Sequence, residues 1–271
     1  TMEPCTHYGL TPPCTNIIVK KKISKVYFAF YDKDKRTAGK SLITLKKKGI
    51  RVVKKNTKNF NNFYKIYFNN LNKKLPLLDA KIALSNDYYS INKKNKWITN
   101  THSRLRAHLL RSEYDGIIST SASINKDNSL LNCRLNGYNN DKPDLIIIDL
   151  QLKIRKNLDL FKFSKKRKIF LVTSIKKNRK IFFLKKKGVK IILIDSLDQK
   201  TNFIKLFNLL KNKGFNRILV EAGLTFLNKL LENKFIFNLY MFKSSVKLGR
   251  NGKNNSSEKL IKKFKIKKRI M

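Results

Sequence analysis

The chain has 271 residues, 41% of them hydrophobic, with 62 basic against 17 acidic side chains and a formal charge of +45. That length allows one large domain or two small ones. No stretch approaches the roughly 18 uninterrupted apolar residues of a membrane span, and three cysteines are too few for a disulfide scaffold, which points to a reducing, cytoplasmic setting. The charge admits polyanion binding, yet only 12 of the basic residues are arginine. Lysine, asparagine, isoleucine and phenylalanine all use A/T-rich codons. The lysines also fall between apolar positions, as a solvated face would, so no specific nucleic-acid partner is expected.

In chain order, the first fourteen residues read Thr-Met-Glu-Pro-Cys-Thr-His-Tyr-Gly-Leu-Thr-Pro-Pro-Cys, with Cys5 and Cys14 each following a proline. Such cysteines suit either inert packing or a pair of thiolate metal ligands. Residues 15–23 suit a helix, whose unpaired first amides would stabilise a thiolate at Cys14. Residues 26–30 read as a buried strand, 38–48 as a helix ending at Gly49, and 50–53 as a second strand. A polar, aromatic-dotted helix and linker at 59–74 precede Pro76, which places a domain boundary there and divides the chain into 1–73 and 74–271. Beyond it, 77–85 reads as a strand. Residues 103–111 read as a helix capped by Asn100 or Thr101, with Leu105 and Leu109 on one face. Strands follow at 116–120, 144–150, 169–173 and 190–194, a helix at 203–210, a strand at 217–220, a helix at 225–231 and a strand at 236–242. The lysine-rich tail, 256–271, is an edge strand or frayed. Strands alternating with helices imply an α/β fold with a mostly parallel sheet.

The opening run resembles the zinc-binding half of the deaminase domain in the bifunctional riboflavin-biosynthesis deaminase/reductase family, whose pattern is T-x-E-P-C-x-H-x-G-x-T-P-P-C. Every fixed position is present. The resemblance implies that Cys5 and Cys14 are zinc ligands in a partial cytidine-deaminase-like domain. That family also needs a His-Ala-Glu segment, for the third ligand and the proton shuttle. No histidine here is followed by Ala-Glu, and Glu3 belongs to the cysteine motif itself. The zinc site is therefore expected to be incomplete, the chain to be a fragment lacking its N-terminal half-domain, and deaminase activity to be absent. The family's D-P-N-P-x-V-x-G-x-G reads Asp-Lys-Asp-Lys-Arg-Thr-Ala-Gly-Lys-Ser at 32–41, so this half has drifted.

The second part is similar to the same family's dihydrofolate-reductase-like reductase domain. Lys81, Ala83, Ser85 and Asp87 match K-x-A-x-S-x-D-G, with Tyr88 replacing the glycine, and Trp97-Ile98-Thr99 match its W-I-T. His108-Leu109-Leu110-Arg111 matches H-x-L-R. Ser123, Asp127, Leu131 and Arg134 fill the functional positions of a following loop, and Val220-Glu221-Ala222-Gly223-Leu224-Thr225 matches V-E-G/A-G-P-T. The resemblance implies NADPH-dependent reduction of a ribosylaminopyrimidine phosphate and assembly as a homo-oligomer. It assigns NADPH to Ala83, Trp97, Ser123, Asp127, Gly223, Leu224, Thr225 and Phe226, and substrate to Arg111, Leu131, Arg134 and Glu221.

Read as residues alone, several of these stay open. Arginine offers a planar fork for phosphate that lysine cannot copy, so Arg111 and Arg134 stand out in a lysine-rich chain, although each also suits an ordinary surface. Trp97 fits a core as well as a cofactor wall, Ser123 or Asp127 could cap a turn, and Gly223 could be a plain strand–helix junction. Asp127 and Lys81 are candidate proton donors. The expectation is one cleft walled by Trp97, Arg111, Arg134 and the small-residue turn at Gly223. Leu150, Asn95 and Leu224 depart from the family pattern, which leaves a degenerate inactive relative as one alternative reading, beside the polyanion-binding protein that the charge admits.

Overall fold

A computed structural model describes residues 2–55, 75–95, 97–138 and 142–255. The helix and linker expected at 59–74, and the tail at 256–271, lie outside the described residues. The chain divides into two compact units, Thr1–Lys73 and Lys74–Met271.

In the first unit, strands β1 (Lys25–Phe28) and β2 (Arg51–Lys54) pair in parallel, and Met2 bridges Phe30 alongside. Helix α1 (Cys14–Lys20) starts at the second cysteine, and α2 (Lys40–Lys47) packs Leu45 inward before the turn at Gly49. Glu3 explains why its motif position is fixed. Its buried carboxylate accepts from the amides of Asp32 (2.9 Å) and Gly39 (2.8 Å) and from the Ser41 hydroxyl (2.8 Å). One carboxylate thus satisfies three donors of the 32–41 loop, in which other amides turn to Asp32, Asp34 and Thr37.

The second unit is an α/β fold on a seven-stranded parallel sheet, ordered β10-β3-β9-β5-β6-β7-β8. The strands are β3 (Leu77–Leu84), β5 (Gly116–Thr120), β6 (Asp144–Ile148), β7 (Ile169–Thr173), β8 (Val189–Leu193), β9 (Arg217–Val220) and β10 (Ile236–Lys243). Their near-continuous apolar runs are those of strands covered on both faces. Alternation then sorts the side chains. Ile118, Ile146, Phe170, Ile218 and Val220 face α6 (Lys200–Asn212) and α7 (Leu224–Glu232). Ile117, Leu145, Ile147, Ile169 and Leu219 face α4 (Ser121–Asp127) and α5 (Arg179–Lys186), the side on which α3 (Thr101–Ser112) also packs Leu110. A small antiparallel pair, β4 (Tyr89–Asn92) with β11 (Gly252–Asn255), completes the described elements.

Helix α4 occupies the stretch expected as a loop, because the Thr120 hydroxyl caps it by accepting from the Ser123 amide and Ile124 is fully buried. Helix α5, β4 and β11 had no clear signature in the sequence. The helix face carrying Leu105 and Leu109 is exposed, and Ala107 is the buried position of α3.

Gly116 shows how tightly the middle of the sheet is filled. A Cβ there would lie 2.6 Å from a Phe215 ring carbon and 2.9 Å from the Ile146 terminal methyl, both in the core. Overpacking of this kind costs about 1–3 kcal/mol. Gly116→Ala should therefore lower the unfolding free energy measured by urea denaturation by that amount, through a lower midpoint at an unchanged slope.

Candidate functional site

Strand β9 arrives between β3 and β5 late in the chain, so residues far apart in sequence meet on one face of the sheet. Glu221, the residue after β9, is held by its amide to the Ile118 carbonyl (2.9 Å), and its own carbonyl accepts from the Ser119 hydroxyl (2.7 Å). Its side chain points toward α3. There Arg111 Nε donates to Oε1 (2.6 Å) and Nη2 to Oε2 (3.0 Å), a bidentate fork. Lys81 Nζ, from the neighbouring strand β3, lies 3.7 Å from Oε2. Arg111 uses its remaining terminal nitrogen, Nη1, on the Asn132 carbonyl (3.1 Å).

Above this pair sits a second layer. His108 Nδ1 is 3.1 Å from the Asn132 carbonyl, Arg134 Nη1 donates to Asn132 Oδ1 (2.7 Å), and Arg134 Nη2 is 3.3 Å from His108 Nε2. The loop carrying Asn132 and Arg134 is anchored from below by Arg167. This buried guanidinium donates to the carbonyls of Leu131 (2.9 Å), Pro143 (3.1 Å) and Leu130.

Charge follows from this packing. Three cations and a histidine surround one carboxylate. Burial works against ionisation of Glu221, but Arg111 and Lys81 outweigh it and hold its pKa at about 2. Burial lowers the Lys81 pKa below the ordinary lysine value, with Arg111 adding to the drop and Glu221 opposing it. Burial, then Arg111 and Arg134, push His108 down to about 4. Both His108 and Glu221 therefore bind protons less readily folded than unfolded. Stability is complete above the unfolded histidine value of about 6.5. It falls first as pH drops from there toward about 4, and again from the unfolded glutamate value of about 4.3 toward about 2. Urea midpoints measured across that range should decline in both windows, and His108→Gln should flatten the upper one.

A second group lies at the start of α7. No side chain caps this helix, and a Cβ on Gly223 would meet only Ser123 Oγ, at 3.6 Å. Among the described residues nothing crowds this position, which leaves open space in front of the helix start. The uncapped first turn and the hydroxyls of Ser123 and exposed Thr225 suit an anionic group. Leu224 and Phe226 bury their side chains in the core and can offer only backbone amides. Ala83 lies on β3 two residues beyond Lys81, on the same face.

Other expected residues are placed differently. Trp97 is 56% exposed beneath the Arg104 guanidinium, 4.8 Å from its ring, beside the first turns of α3. Arg111 is in the last turn, about 10 Å further along the helix axis. Asp127 is exposed in the last turn of α4, one turn beyond Ser123. Leu131 has a left-handed backbone and a side chain buried in the core, in contrast with the expected contact to substrate. Asp87 binds the amides of Leu248 and Gly249, and Asp149 those of Lys153 and Ile154. His108 and Asn132, which unite the cluster, were not singled out from sequence; the only hint was His108 within H-x-L-R.

In the first unit the Cys14 amide donates to Cys5 Sγ (3.1 Å), so the two thiols are neighbours, and the Cys5 thiol raises the Cys14 pKa. His7 is held by Thr37, with Nδ1 3.0 Å from its hydroxyl. Among the described residues no three His, Cys, Asp or Glu side chains gather as a metal site. The described residues thus bring two thiols together without a third ligand-type side chain beside them.

Comparisons with known proteins agree on one relationship. The model of the RibD C-terminal domain matches residues 78–269. The riboflavin biosynthesis protein RibD of Buchnera aphidicola subsp. Baizongia pistaciae is 30% identical over 264 residues, covering 93% of this chain and 71% of that protein. RibD of Aquifex aeolicus is 29% identical, covering 89% and 67%. Among solved structures, form 1 of Acinetobacter baumannii RibD has a TM-score of 0.74 at 24% identity, covering 93% of this chain and 69% of that one. Rib7, a riboflavin biosynthesis reductase of Saccharomyces cerevisiae, has a TM-score of 0.55 at 23% identity, covering 73% and 88%. At those identities the solved structures show a shared fold.

Proposed function

Because this chain belongs to the RibD C-terminal domain family, we propose that its Lys74–Met271 unit is an NADPH-dependent reductase of a ribosylaminopyrimidine phosphate, acting in riboflavin biosynthesis. The substrate would be 5-amino-6-(5-phosphoribosylamino)uracil and the product its ribitylamino counterpart. The observation that carries this reading is the cationic cluster of Lys81, Arg111 and Arg134 around a single carboxylate.

The two arginines then have distinct work. Arg111 has every nitrogen engaged within the protein and holds Glu221 in place. Exposed Arg134 has no carboxylate partner among the described ion pairs, so its charge is available to the sugar phosphate. Lys81 fits the role of proton donor better than Asp127: it lies inside the cluster, buried and with a weakened hold on its proton, whereas Asp127 is outside it. Reduction of the ring-opened imine adds hydride to C1′ and a proton to the attached nitrogen, and Lys81 would supply that proton.

NADPH, when bound, supplies the hydride. The residues that suit it are the open Gly223 turn with the first amides of α7 at Leu224, Thr225 and Phe226, the Ser123 hydroxyl, and Ala83, where a small side chain admits a flat ring. Trp97 and Asp127 are proposed to complete its contacts. Cys5 and Cys14 are proposed as two zinc ligands of a partial deaminase domain. The described residues do not complete that site, so no deamination step follows from them.

Incubating the purified chain with NADPH and 5-amino-6-(5-phosphoribosylamino)uracil tests the proposal. The expected result is loss of nicotinamide absorbance with a product heavier by two hydrogen atoms. Absence of turnover by folded protein would favour the degenerate-relative reading instead.

A further inference from the structure

We propose that His108 is the positioning residue that aims Arg134 at the ligand's phosphate, its neutral Nε2 accepting a hydrogen bond from the Arg134 guanidinium. This rests on the reading that the cluster binds a sugar phosphate.

The Arg134 guanidinium at Nε2 selects one tautomer. Asn132 O can only accept and lies 3.1 Å from Nδ1; Arg134 Nη2 can only donate and lies 3.3 Å from Nε2. A proton on Nδ1 and a lone pair on Nε2 satisfy both. Two donors also approach Nδ1: Arg111 Nη1 (3.5 Å), which keeps the Asn132 carbonyl as its acceptor, and the Arg134 amide (3.2 Å), which this choice leaves unmet. The other tautomer is worse, because it sets an Nε2 proton against a guanidinium proton. An imidazolium would place a third positive charge between Arg111 and Arg134.

The consequence is a division between the two arginines. Glu221 neutralises Arg111 and fixes it. Arg134 is held by Asn132 Oδ1 and His108 Nε2, two acceptors that carry no charge. A carboxylate at position 108 would orient Arg134 but cancel its charge, and a lysine would repel it. A neutral acceptor fixes the fork and leaves the full charge for an incoming anion. This makes Arg134 a fitted receptor for a phosphate monoester, and distinguishes it from the many solvated cations of the surface.

Two measurements test this. In the unmodified protein, nitrogen-15 NMR of the three histidines should show His108 neutral at pH 7 with its proton on Nδ1. In titration calorimetry with ribose 5-phosphate, His108→Phe should weaken binding about tenfold or more. His108→Gln, which keeps an acceptor near Nε2, should recover affinity to within about threefold, and in an Arg134→Lys background His108→Phe should add less than about twofold, because the two residues act as one unit. The inference is overturned by an Nε2 proton or an imidazolium at pH 7. It is also overturned by a folded His108→Phe protein of unchanged affinity, or by an undiminished effect in the Arg134→Lys background. If the unmodified protein shows the expected tautomer yet fails to bind ribose 5-phosphate, the sugar-phosphate reading fails, and the inference with it.

Discussion

Replacing Lys81 with methionine is expected to lower kcat by about 10²–10⁴-fold, the usual contribution of a positioned proton donor, while leaving the protein folded. Methionine preserves the length and the apolar stem of lysine, so the packing of that stem survives. What disappears is the ammonium 3.7 Å from Glu221. The pH dependence separates proton donation from simple charge attraction. Only protonated Lys81 can donate, and its pKa lies below the ordinary lysine range because the site is poorly solvated. The kcat of the unmodified enzyme should therefore decline with rising pH before about 10.4, the value of a free lysine. That alkaline limb should be missing from Lys81→Met. Steady-state rates with NADPH across the pH range check both points; an unchanged limb in the variant would remove Lys81 from the role.

Glu221→Gln should destabilise the fold by about 3–5 kcal/mol, because removing one partner of a buried ion pair leaves uncompensated charge behind. Here two cations lose their counter-ion together: Arg111, bidentate to the carboxylate, and Lys81. A surface ion pair would be worth under about 1 kcal/mol, so the size of the loss reports burial. The comparison that isolates the cause is the double replacement Arg111→Met with Glu221→Leu. Removing both charges should recover much of the stability, since apolar substitutes for a buried pair are often neutral, while activity stays lost. Urea denaturation of the three proteins at pH 7 measures this. Equal losses for the single and double variants would mean that shape, and not charge, carries the effect.

Much of the fold was legible because the sheet is buried on both sides. A run such as Asp-Leu-Ile-Ile-Ile at β6 can hardly be anything but an inner strand, and the helices that cover it show their apolar faces, as with Phe203, Leu206, Phe207 and Leu210 on α6. The elements that escaped notice lack that signal. Helix α4 has one fully buried aliphatic side chain, Ile124, among serine, asparagine and aspartate, which favour turns when read locally. Helix α5 buries only Ile181 and Leu184 in a lysine-rich stretch. Arg111, Arg134 and Glu221 were chosen by motif, and they do converge. The reason they converge is a strand inserted out of chain order, which no local pattern reveals. The same holds for His108, whose partner Asn132 is 24 positions away, and for Leu131, an aliphatic residue that the core claims.

Arg167 has a consequence of a different kind. Its guanidinium gathers three carbonyls that a single ammonium group could not reach together. In a chain with 12 arginines against 50 lysines, such a position is one that lysine cannot fill. A survey of tolerated lineages should find lysine spreading freely over the exterior and halting at Arg111, Arg134 and Arg167. The third of these is buried on backbone carbonyls, yet its loss would slacken the loop bearing Arg134 and pass for a defect in substrate capture.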